Sequence, residues 1–85
     1  MNFNINELKK KIIYRSLYRG KKELDILLSS FTKSIIDELN RKDLVDLYNL
    51  LKEDDDKLFE FHQGLMVNIT IKDNKISRLF KKFKF

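Results

Sequence analysis

A single glycine, Gly20, stands between two amphipathic helical patterns, and this arrangement constrains the fold more than any other feature of the 85 residues. Before it, Ile5, Leu8, Ile12 and Ile13 are spaced for one face of a helix. After it, Leu24, Leu27, Leu28, Phe31, Ile35 and Leu39 are spaced likewise. Two such helices joined by so short a link fold back as a hairpin. The glycine is expected to stop the first helix in a left-handed backbone conformation, which costs glycine least. The chain has no proline, and its only other glycine is Gly64, so nothing else in it forbids long helices.

The first helix is expected over residues 5–18, with Asn4 or Asn6 as its cap and Glu7 in its first turn. The second runs from Gly20 to about residue 39, with Ser29, Ser30 and Thr32 as its weakest stretch. Asn40, with Asp43 three residues on, nearly matches a capping box and opens a third helix whose apolar face is Leu44, Leu47, Tyr48, Leu50 and Leu51. Asp54, Asp55 and Asp56 suit the start of a short fourth helix that carries Leu58, Phe59 and Phe61 and ends before Gly64. Residues 65–71 read as a connection packed on the bundle, because a lone strand would have no partner. The last helix, 72–83, carries Ile76, Leu79, Phe80 and Phe83, with Phe83 expected in the core and Phe85 at a frayed end. The expected fold is therefore all-α, a small five-helix bundle with an N-terminal helical hairpin, forming one domain over 1–85.

Charge is polarised along the chain rather than spread evenly. Residues 1–23 and 62–85 each carry a net +5, whereas residues 24–61 carry −5. With no cysteine there is neither a disulfide framework nor thiolate chemistry. No stretch approaches the roughly 18 apolar residues of a spanning helix, and the N-terminus lacks the apolar run of a signal peptide, so no membrane insertion is expected. Glycine at two positions cannot build a glycine-rich phosphate cradle.

Arg19, Gly20 and Glu23 form R-G-x-x-E, a motif that would arise by chance in roughly one chain in a hundred of this size and so depends on its context. Here it follows Tyr14, Arg15 and Ser16 and precedes Leu24, Asp25, Leu27 and Leu28. In that order these residues resemble the signature of the SdhE family, the small flavinylation factors of succinate dehydrogenase. A second resemblance is LLKEDDDKLFEF followed by Gly64, similar to the family's leucine pair, acidic turn and aromatic-rich fourth helix. Asp56 replaces a proline common in that turn, and Phe61 replaces a common tryptophan; each keeps the physical role, a helix start and an aromatic anchor.

The resemblance implies an assembly factor that binds the flavoprotein subunit of succinate dehydrogenase and promotes covalent attachment of FAD to it. The partner would supply the flavin pocket and the nucleophilic histidine, so this chain would be no enzyme and would bind no FAD stably. Fumarate reductase would be a second client and the free chain a monomer; with no room for an organelle leader ahead of the resemblance, the compartment would be the bacterial cytoplasm unless a leader had already been removed. The implied docking surface centres on Arg19, Gly20 and Glu23.

Read from the residues themselves, Lys11, Arg15 and Arg19 make a basic stripe on helix one, with Tyr14 and Tyr18 as an aromatic stripe beside it. A solvated basic face is the plain alternative, but arginine and tyrosine are also the residue types that dominate protein interfaces. Gly20 is needed at a helix end whatever the function, and lacking a side chain it would also let a partner's backbone approach. Glu23 is placed as a favourable charge at a helix start, with no second carboxylate or histidine spaced for acid–base work. His62, the only histidine, is expected to meet a carbonyl or solvent, and the aspartate run lacks the alternation of a calcium loop, so no metal is expected. The rival function is a basic helical nucleic-acid-binding module, against which stands the acidic middle of the chain.

Overall fold

The computed structural model describes residues 4–65 and 71–84, which form five α-helices and, among the described residues, no strand. Asn4 caps α1 (Ile5–Leu17), its Oδ1 accepting the Glu7 backbone N–H at 2.8 Å, while its own amide donates to the Glu7 carboxylate at 3.0 Å. A cap of this kind contributes about 1 kcal/mol. The next helix, α2 (Lys22–Ile35), stops short of residue 39 because the chain tightens into a 3-10 turn at Ile36–Glu38. That tightening turns Ile36 into the core and leaves Ile35 and Leu39 packed at its edge. Ser29 and Ser34 are tolerated in α2 because their hydroxyls donate to the carbonyls of Ile26 and Phe31, three residues back.

Asn40 caps α3 (Arg41–Leu51) by accepting the Asp43 N–H at 2.9 Å. Only that half of the capping box involves Asn40, since the Asp43 carboxylate pairs instead with Lys75 at 3.3 Å and ties α3 to α5. The short α4 (Asp55–His62) ends at Gly64, whose φ of +78° lets Leu65 N–H reach the Glu60 carbonyl at 2.9 Å and Gly64 N–H reach that of Phe61 at 3.2 Å. These two bonds are the Schellman ending, which satisfies carbonyls the helix leaves open. The last helix, α5 (Lys75–Lys82), begins three residues later than its periodicity suggests, because Asn74 and Ser77 cap it reciprocally at 2.9 and 3.0 Å. Of the connection at 65–71, residues 66–70 lie outside the described residues, as does Phe85, while Ile71 is buried.

All five helices contribute to one continuous core, in which Phe31 and Phe80 are the largest buried side chains and approach at 5.3 Å between ring centres. Phe83 packs edge-on against Phe31 at 5.4 Å and is partly buried. The helix α1 lies against both α2 and α3 along a narrow seam of Leu8, Ile12 and Ser16. Ile5 and Ile13 sit off that seam and stay exposed, as does Leu79 on α5. The seam matters for function because it fixes where the C-terminal turn of α1 is presented.

Candidate protein-docking site

The corner between α1 and α2 gathers the residues singled out by the sequence and then divides them. Arg19 faces inward, its side chain 9% exposed. Its Nε donates to Asp55 Oδ1 at 2.8 Å, its Nη1 to the carbonyls of Leu51 at 2.7 Å and Arg15 at 3.3 Å, and its Nη2 to the carbonyl of Glu53 at 2.8 Å. The Leu51 carbonyl is one that α3 leaves without a helical partner at its C-terminus, and Glu53 lies two residues on, past the cap residue Lys52. The guanidinium of Arg19 therefore caps α3 from the turn between α1 and α2, and its planar fork suits several acceptors at once.

The backbone of the turn is held in the same way. Arg19 N–H donates to Asp25 Oδ1 on the first turn of α2, and Gly20 N–H donates to Asp55 Oδ2 at 2.8 Å. Gly20 does not take the left-handed conformation expected of it; among the described residues only Gly64 has positive φ. What crowds position 20 is the Asp55 carboxylate, since a Cβ there would lie 3.0 Å from Oδ2. The turn thus needs a small residue because a side chain from α4 approaches it, not because of its own backbone angles.

The outward side of the corner is built differently. Tyr14 and Tyr18 pair with ring centres 4.7 Å apart and remain 63% and 70% exposed. Arg15 lays its guanidinium over the Tyr48 ring of α3 at 5.4 Å, and Lys52 places its ammonium over the same ring at 5.1 Å. No acceptor for the Arg15 guanidinium is found among the described residues. An open groove of about 520 Å³ runs between these groups, with Lys11 continuing its basic wall one turn back along α1. Glu23 is exposed in the first turn of α2, where its charge suits the helix start. Beside it Lys21 pairs with Asp56 at 2.6 Å, and that carboxylate holds the ammonium above the usual lysine range.

Sequence reasoning missed Asp25, Asp55, Tyr48 and Lys52 as parts of this corner. For Asp55 the only signal was the acidic run, read there as a helix start; its partners lie 35 and 36 residues away in the chain. His62 meets the Phe83 carbonyl at 2.8 Å, the contact expected of it. Among the described residues no cluster of His, Asp or Glu could hold a metal ion, and no helix is long and apolar enough to cross a membrane.

Fold and corner together define a small all-α protein whose most distinctive surface is a rigidly held basic and aromatic edge. The chain belongs to the family of flavinators of succinate dehydrogenase, whose model matches residues 10–84. It is 35% identical over 75 residues to the FAD assembly factor SdhE of Wigglesworthia glossinidia brevipalpis, an alignment covering 88% of this chain and 86% of that protein. No solved structure gives a significant match.

Proposed function

We propose that this chain docks on the flavoprotein subunit of succinate dehydrogenase and promotes covalent attachment of FAD to it, acting as an assembly factor and not as the enzyme that bears the flavin. The observation that carries this reading is the outward face of the corner: Tyr14, Arg15 and Tyr18 exposed on α1, with Arg15 steadied on Tyr48 and its donors left for an acceptor from outside. Gly20 and Glu23 border this face, Lys11 extends it, and Arg19 keeps it in shape from within. Membership of the flavinator family supports the flavoprotein subunit as the client of such a surface.

In this reading FAD is cargo attached to the partner, whose own groups carry out bond formation. The contribution of this chain is to hold the client's flavin-binding region in a geometry where its reacting groups meet, a proximity effect. It acts in the cytoplasm, as a monomer when free, and fumarate reductase is a second client.

Deletion of the protein tests the proposal directly. The flavoprotein subunit should then carry little covalent flavin, read as in-gel fluorescence after denaturation, and unchanged fluorescence in a strain without a paralogue would sink the idea. Affinity purification from the native cell should recover the flavoprotein; recovery of nucleic acid that is released steeply by salt would favour the rival reading.

A further inference from the structure

Three consecutive aspartates open α4, and the fold gives each a different fate. Asp54 stands at the cap position but makes no side-chain cap bond. Asp56 is 77% exposed and pairs with Lys21 at the surface. Asp55 alone turns inward, where one carboxylate oxygen holds Arg19 Nε and the other holds the Gly20 N–H, both at 2.8 Å. The second oxygen is also the atom that a Cβ on Gly20 would meet at 3.0 Å. A side chain at position 20 would therefore push the Asp55 carboxylate aside by a few tenths of an ångström.

We propose that Asp55 is the positioning residue of the docking corner, and that residue 20 is glycine to admit the Asp55 carboxylate, not to admit a partner's backbone. The functional half of this inference rests on the docking role proposed above. Through Arg19 and Gly20, Asp55 joins the end of α1 and the turn into α2 to the start of α4, while Arg19 carries the link on to the end of α3. Tyr14, Arg15 and Tyr18 lie on the last turn of α1 and at its cap, next to this link. Without the carboxylate the turn is no longer ordered in advance, and the client must order it on binding, which weakens docking without changing what the docked complex can do.

The test is a double-mutant cycle of Gly20→Ala, Asp55→Ala and the pair in the full chain, with two readouts. One is the thermal unfolding midpoint. The other is covalent flavin loading of the purified flavoprotein subunit as a function of assembly-factor concentration, measured below every variant's midpoint. Each single change should raise the concentration for half-maximal loading by about tenfold and leave the plateau unchanged. The pair should be no worse than Asp55→Ala alone, because the added methyl then has nothing to displace. Should Gly20→Ala cost as much in the Asp55→Ala background as in the natural chain, the glycine serves the partner and the proposal is overturned. A lowered plateau at saturating concentration would overturn it as well.

If Asp55→Ala does not fold, Asp55→Ser, which also vacates the space beside position 20, replaces it in the cycle, and Asp55→Asn is measured alone for the positioning role. The amide keeps the shape but has only one oxygen to accept for two donors, so half-maximal loading should shift by less than tenfold, and no shift at all would overturn the positioning role. Failure of the docking reading is separable: the natural chain would then not stimulate loading at any concentration, while the midpoints would still report whether Gly20 and Asp55 are coupled.

Discussion

Arg15 lies on the last turn of α1 and Arg19 two residues past its end, off the stripe the sequence suggested, and the fold uses them in opposite ways. Arg19 points into the junction of four helix ends and donates to a carboxylate and three carbonyls, its side chain 9% exposed. Arg15 lies over an aromatic ring at the surface and has no acceptor among the described residues. The charge is the same, so the difference comes from the backbone, which leaves the helix at Tyr18 and turns Arg19 toward the ends of α3 and α4. Arginine at 19 is an internal cap, and arginine at 15 stays at the surface over Tyr48.

That contrast predicts unequal costs. Arg19→Ala should lose about 3 kcal/mol, since it strands Asp55 and the end of α3, and the midpoint should fall by more than about 10 °C. A midpoint near that of the natural chain, in calorimetry or circular dichroism, would break the comparison at its stronger end. Arg15→Ala should instead cost no more than about 1 kcal/mol, the worth of its pairing with the Tyr48 ring at an exposed site. Its effect belongs in the loading assay, where about tenfold more protein should be needed if Arg15 is an interface anchor. Tyr48→Leu sharpens the outer half: removing a ring that carries two cations, each pairing worth about 0.5–1 kcal/mol at an exposed site, should weaken loading about threefold.

The smallest effect is expected away from the corner. The Asp73 carboxyl is held below the usual carboxylate range by its hydrogen bond and charge pairing with Arg78. A lowered folded-state value adds stability above the unfolded value, and that addition is lost as pH falls through the folded one. Asp73→Asn should therefore be marginally less stable at neutral pH, with its unfolding curve joining that of the natural chain in acid, and flavin loading should not change. A loading defect in this variant would extend the docking surface to α5.

The helices were legible in the sequence because their signals are local. Asn4 and Asn40 cap through bonds to residues three positions on, and Gly64 ends α4 through its own backbone. The start of α5 was equally local, in Asn74 and Ser77, but the apolar spacing that begins at Ile76 does not fix where the cap falls. The site was legible only as a collection of residues. Tyr14, Arg15, Tyr18, Arg19, Gly20 and Glu23 were picked out by the motif and its flanks, but which of them turn outward was not readable. Ile13 and Leu79, which the periodicity assigned to the core, show the same gap between a pattern and a packed seam.

By itself the sequence determined that this chain forms helices, where most of them begin and end, and which stretch forms the corner, because periodicity and capping act over a few residues. Only the tertiary structure decided that the Gly20 N–H meets Asp55, that Arg19 caps the end of α3, and that Arg15 lies over Tyr48 at the surface. Those assignments depend on side chains that meet across more than thirty residues of chain, and no local pattern records which helix end will close over which.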